Sequence, residues 1–212
     1  AAKLTHLQRT GARMIQVSHA AWWQTILTHE CGEGNGIYLD AVADSRAMAG
    51  NGSIGLEIIE QVPEVDTVFV PFGGGGLVCG IAAAIKATRP QVRIIACESE
   101  LATPLAAAMQ AGRPVTVPCR SGFVSGIGAS SVLPVMWPLL QQFVDDVVVV
   151  SLADIAAAIR ALALYGHVVA EGAGAASVAA ARTGQFSPGR TVCIISGGNI
   201  GAGTLATILA GG

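Results

Sequence analysis

The chain has 212 residues, a net charge of −2 and an isoelectric point near 6.1, so it lacks the basic footprint of a nucleic-acid binder, and its acidic excess is too slight to name a partner. It is 52% hydrophobic and only 12% charged, with 27 glycines and a mean hydropathy of +0.58. Either most elements are buried on both faces, as in a parallel α/β sheet, or apolar surface is covered by something outside this chain. No apolar run reaches membrane-spanning length, and no basic segment with a following apolar stretch opens the sequence, which predicts neither a membrane span nor a signal peptide.

In chain order, the pattern predicts a helix ending at Gly11, a strand over Arg13–Val17, a helix carrying Trp22, Trp23, Ile26 and Leu27, and a short strand over Gly36–Leu39. This β-α-β fragment starts abruptly and buries too little to stand alone, which predicts polypeptide upstream. Asp40 to Ser53 is polar and dotted with glycine and reads as a crossing between lobes, closed by Ser53 as a helix cap. The expected division is therefore a partial small α/β domain over residues 1–50 and a large α/β domain over 51–212.

After a helix over Ile54–Glu60, the run Asp66–Phe72 is a buried strand that stops at Gly73-Gly74-Gly75-Gly76, and Val78–Lys86 reads as an alanine-rich helix. Consecutive glycines let several backbone N–H groups converge at a helix N-terminus, a ready site for a phosphate. Further strands are expected at Val92–Glu98, Asp146–Val150 and Thr191–Ile195. Helices are expected at Thr103–Gln110, Val132–Val144, Leu152–Leu164 (capped by Ser151), from Glu171 onward, and at the C-terminus. Arg113–Gly128 is irregular and too long to be idle. The alternation predicts an open, mostly parallel sheet flanked by helices, with the ligand outside the carboxyl ends of the strands. Both glycine-rich turns, Gly73–Gly76 and Ser196-Gly197-Gly198-Asn199, fall there.

Five cysteines, Cys31, Cys79, Cys97, Cys119 and Cys193, are odd in number and form no CxxC pair, which predicts free thiols and a cytoplasmic setting. The four histidines pair with no nucleophile in the sequence pattern, so no hydrolase triad is expected.

Several motifs occur in order: Gly73-Gly74-Gly75-Gly76-Leu77 after its apolar strand, Glu98 closing the next strand, Val169-Ala170-Glu171-Gly172-Ala173-Gly174-Ala175, and Ile195-Ser196-Gly197-Gly198-Asn199, with Gly50–Glu57 ahead of them. Together they resemble the β family (fold type II) of pyridoxal-phosphate enzymes, in its serine/threonine dehydratase-like group. The resemblance covers essentially the whole chain. It implies that Gly73, Gly74, Gly75, Gly76 and Leu77 hold the phosphate of pyridoxal 5'-phosphate, that Ser196 meets the pyridine nitrogen, and that Glu171 lies beside the ring. Glu98 resembles the family's cation-site glutamate, but Pro104 stands where a second acid belongs, so no metal is expected. Ser125, in Val124-Ser125-Gly126-Ile127-Gly128, replaces the usual aspartate.

The resemblance also exposes an absence. The Schiff-base lysine motif and the substrate carboxylate loop of the family have no counterpart, and the only lysines, Lys3 and Lys86, read as solvated helix residues. The chain is therefore expected to be the C-terminal two-thirds of a β-eliminating lyase acting on small hydroxy amino acids. It should be inactive alone, and complete with the missing N-terminal segment in cis or as a separate chain, as a dimer. The alternative is a non-catalytic binder of pyridoxal phosphate or another phosphate-bearing ligand. A doubly wound nucleotide-binding protein is disfavoured by the absence of a G-x-G-x-x-G fingerprint and leaves Ser196–Asn199 unexplained.

Overall fold

The structure, a computed structural model, describes residues 7–30, 38–186 and 189–211, without the side chains of residues 19, 20, 22 and 23. Its centre is a four-stranded, all-parallel sheet in the order β3-β2-β1-β4, made of β1 (Thr67–Pro71), β2 (Arg93–Ser99), β3 (Asp146–Val150) and β4 (Thr191–Cys193). Alternation within the strands explains why their sequences are apolar throughout. Val68, Val70, Ile94 and Ala96 enter one core with Ile81, Ile85, Leu105, Met136 and Leu140. Phe69, Ile95 and Cys97 enter the other, with Ile155, Ile159, Ala173 and Ala176. Successive strand residues point to opposite faces, and here both faces are covered by helices.

One face carries α2 (Ser45–Gln61), α3 (Gly76–Lys86), α4 (Pro104–Ala111) and α5 (Trp137–Phe143). The other carries α6 (Leu152–Ala161) and α7 (Gly172–Arg182). The helix α1 (His19–Thr28) precedes this body, and α8 (Ala202–Leu209) closes it. Alanines and glycines along α7 leave room for the helix to lie close on the sheet, and its buried Ser177 donates to the Ile194 carbonyl at 2.8 Å. The Ser151 hydroxyl accepts from the Asp154 N–H at 3.1 Å, as the expected cap of α6. Ser151→Ala should cost about 1 kcal/mol, read from the midpoint of chemical denaturation.

Five expectations are corrected. Residues 13–17 form no strand among the described residues, and Ile15 and Val17 are exposed. The expected partner over Gly36–Leu39 lies mostly outside the described residues. The crossing to the large body is shorter than expected, because α2 begins at Ser45 with Asp44 as its cap and runs through Gly50–Ser53. Gly52 and Gly55 serve packing: a Cβ on Gly52 would lie 3.3 Å from the Gly80 carbonyl, and one on Gly55 2.6 Å from that of Ile81, whereas one on Gly50 would meet nothing within 4 Å. Burial of the α2–α3 contact outweighs the low helix propensity of glycine. The predicted helix over Val132–Val144 shrinks to α5, which starts with a proline in its first turn. After Ala161, α6 passes into a π-helical turn, Leu162–Gly166, ended by His167 at φ 53°. Finally, β4 stops at Cys193, so Ile194 and Ile195 lie beyond it.

Lys86 is also corrected. Its ammonium donates to both carboxylate oxygens of Asp145, at 3.0 and 2.8 Å, and its side chain is only 16% exposed. It ties the end of α3 to the start of β3 and is not a solvated lysine. Of the thiols, Cys79 and Cys97 are buried, Cys193 is half-buried and Cys119 exposed, all free. Burial raises Cys79 to about 12 and Cys193 to about 11, so neither is a thiolate nucleophile near neutral pH.

Candidate functional site

The site forms where β1 and β4, neighbours in the sheet, release their chains at the same end. After Pro71 and Phe72 the chain turns through the glycines into α3. Gly75 is its cap at φ +104°, a conformation side chains rarely adopt, and no side chain caps the helix. The first N–H groups of α3 are therefore left for a ligand, with the positive end of the helix dipole behind them.

One stretch closes on this loop, and two more close on that stretch and on each other, in each case at a residue without a side chain. A Cβ on Gly73 would lie 3.5 Å from the Gly126 carbonyl, and one on Gly126 would lie 2.7 Å from Ala173 Cβ and 3.4 Å from Glu171 Oε1. A Cβ on Gly197 would come within 2.7 Å of the same Oε1, and one on Gly174 within 2.5 Å of the Gly197 carbonyl. Glu171 donates its N–H to the Gly197 carbonyl at 3.0 Å. Residues 124–128 thus touch the loop at Gly73 and, through Gly126, the start of α7 and the Glu171 carboxylate, which Gly197 also approaches. A cavity of about 210 Å³ opens beside Gly73 and Gly74, lined by Ile26, Val42, Ser125, Gly126 and Ser131 among others; neither Glu171 nor Ser196 lines it.

Of the residues singled out in the sequence, Gly73, Gly74, Gly75, Gly76 and Leu77 form the loop and first turn of α3. Glu171 precedes α7 but makes no side-chain cap to it; its carboxylate points along Gly126 and Gly197. Ser196 is exposed, one residue before Gly197. Val42 and Ile26 carried no sequence signal as site residues, because they are ordinary apolar side chains brought in by the crossing segment and by α1. Glu98 lies elsewhere: buried, it accepts from the N–H groups of Leu105 at 2.7 Å and Ala106 at 2.9 Å, so its carboxylate caps α4. Burial, opposed by those two bonds, raises it to about 7. Among the described residues, no three His, Cys, Asp or Glu side chains gather as a metal site.

A family model described as pyridoxal-phosphate dependent enzyme matches residues 1–197. The chain belongs to that family. It is 38% identical over 179 residues to the L-threonine ammonia-lyase of Geobacter sulfurreducens, covering 84% of this chain and 44% of the relative. It is 39% identical over 168 residues to the catabolic L-threonine dehydratase of Escherichia coli, covering 77% and 51%. Maize serine racemase superposes on all of this chain and 66% of its own, with a TM-score of 0.83 and 31% identity. The chain spans about half the length of the curated relatives it matches.

The residues present fit the family's pyridoxal phosphate. The phosphate needs converging N–H donors without side chains, which the uncapped, glycine-built start of α3 offers. The ring needs a flat slot, and Gly126 and Gly197 flank the Glu171 carboxylate without side chains of their own. When bound, this cofactor supplies an electron sink for negative charge at the α-carbon of an amino acid.

Proposed function

We propose that this pyridoxal-phosphate family chain is the cofactor-phosphate-binding part of a β-eliminating lyase acting on small hydroxy amino acids such as serine or threonine. The observation that carries the reading is the uncapped, glycine-built start of α3, with Gly73 against Gly126 and with Gly126 and Gly197 both against the Glu171 carboxylate. In this reading the N–H groups of Gly73–Leu77 hold the phosphate, and Glu171 orients the ring or the substrate. The Ser196 hydroxyl faces the ring nitrogen; a neutral partner there favours elimination over transamination. The expected smaller lobe over residues 1–50 and large one over 51–212 then divide just ahead of α2, which runs unbroken from Ser45 to Gln61.

The cofactor-anchoring lysine, in this proposal, lies on polypeptide outside these residues, in cis or on a second chain. Lys86 is held by Asp145 at the far end of α3, roughly 15 Å along the helix from Gly76. Lys3 lies outside the described residues. Further polypeptide also suits the outer side of β4, an edge strand of the sheet, and the chain exposes Leu164, Tyr165, Val169 and Ile195. The reading includes a homodimer, and a cytoplasmic setting supported by the free thiols.

Titration of the 212-residue chain with pyridoxal phosphate should show reversible binding. Borohydride treatment should leave no adduct on Lys3 or Lys86 by mass spectrometry, and no ammonia should be released from L-serine or L-threonine. Adding the remaining polypeptide should restore turnover. A reduced adduct on either lysine together with turnover overturns the assignment of the anchor. Binding without turnover in the longer polypeptide favours the alternative, a non-catalytic binder of pyridoxal phosphate or another phosphate-bearing ligand.

A further inference from the structure

The crossing segment between α1 and α2 lies directly on the glycine loop. A Cβ on Gly74 would come within 2.6 Å of both Val42 methyls, and one on Gly76 within 2.7 Å of the Ala41 and Val42 carbonyls. Val42 and Ile26, the latter from α1, line the same cavity as Gly73 and Gly74.

One carboxylate holds that segment. Asp40 is 5% exposed; its Oδ1 accepts the Val42 N–H at 2.8 Å, and its Oδ2 lies 3.0 Å from His29 Nε2. His29 ends α1 at φ 60°, its own N–H bonded to the Thr25 carbonyl, and its ring stacks on Tyr38 with centroids 5.2 Å apart. The His29 side chain is 54% exposed while that of Asp40 is 6% exposed. The imidazole thus reaches in from solvent to meet a carboxylate that has been taken out of it. A buried carboxylate is costly without a partner, and Oδ2 makes no hydrogen bond among the described residues, so the ion pair with His29 is what ties the end of α1 to the crossing segment. Sequence alone placed these residues 11 positions apart with no motif joining them.

We propose that His29 and Asp40 form a latch that seats Val42 and Ile26 against the Gly73–Gly76 loop, making both positioning residues for the phosphate site. The latch acts through the backbone of residues 40–42 and touches no reacting atom. It rests on the pyridoxal-phosphate reading for its functional consequence, but its mechanical part does not.

Two variants of the full 212-residue chain separate this from a merely structural role. His29→Phe keeps the stack on Tyr38 and removes the nitrogen that pairs with Asp40, whereas His29→Gln keeps a polar nitrogen there and removes the ring. Amide hydrogen exchange and the affinity for pyridoxal phosphate are measured on each. For His29→Phe, exchange should accelerate about tenfold at residues 40–44 and at 73–77, and affinity should fall about tenfold. His29→Gln should stay near wild type in both. Faster exchange confined to 40–44, or equal effects of the two variants, overturns the latch. If exchange responds at 73–77 as expected but the wild-type chain binds no pyridoxal phosphate, the latch stands and the proposed function falls.

Discussion

Gly76→Val should abolish pyridoxal phosphate binding, a loss of about 100-fold or more in affinity, while leaving the sheet folded. A Cβ at Gly76 would meet the Ala41 and Val42 carbonyls at 2.7 Å and Val42 Cα at 3.1 Å. These are backbone atoms that cannot rotate away, so either the crossing segment lifts or the start of α3 shifts. Both outcomes displace the N–H groups that converge on the phosphate. The residue opens α3 at the carboxyl end of the sheet, and the cores packed around Ile81 and Ile155 do not depend on it. The far-ultraviolet circular dichroism should therefore keep its native shape. Unchanged affinity, measured by the fluorescence of titrated cofactor, would remove the glycine loop from the site.

Stability should fall by about 3 kcal/mol as pH rises from below 4.5 to above 7, through Glu98. Its ordinary value is 4.5 and its value in the fold about 7, raised by burial. Because the folded value is the higher, the folded state binds more protons across that window. The stabilisation is complete below 4.5 and is lost as the pH passes 7. Glu98→Gln should remove the slope, since an amide stays neutral while its oxygen still accepts from the N-terminus of α4. Urea midpoints taken across the window read both effects. A slope that persists in Glu98→Gln assigns the dependence to another group.

The motif residues were legible because their chemistry is local. Four glycines after an apolar strand name a turn into a helix wherever it occurs, and Ser196–Asn199 names a second turn of the same kind. The parallel sheet was legible for a related reason: strands such as Val68–Pro71 and Ile94–Cys97 are apolar at every position, which only a sheet covered on both faces rewards. The crossing segment was misread because Gly50, Gly52 and Gly55 look like a flexible stretch until α3 is known to pack against Gly52 and Gly55. Glu98 closes its strand as expected, but its carboxylate serves α4, a partnership set by the direction in which the chain leaves β2.

The sequence by itself determined the class of fold, the order of its elements, the two glycine turns and the family, since each is written in residues adjacent along the chain. Only the tertiary structure decided that Gly126 and Gly197 meet at Glu171, that Lys86 is held by Asp145, and that Asp40 joins His29 to the crossing segment. Such contacts depend on how distant segments pack, and apolar or charged side chains of common type carry no mark of the partner that folding brings to them.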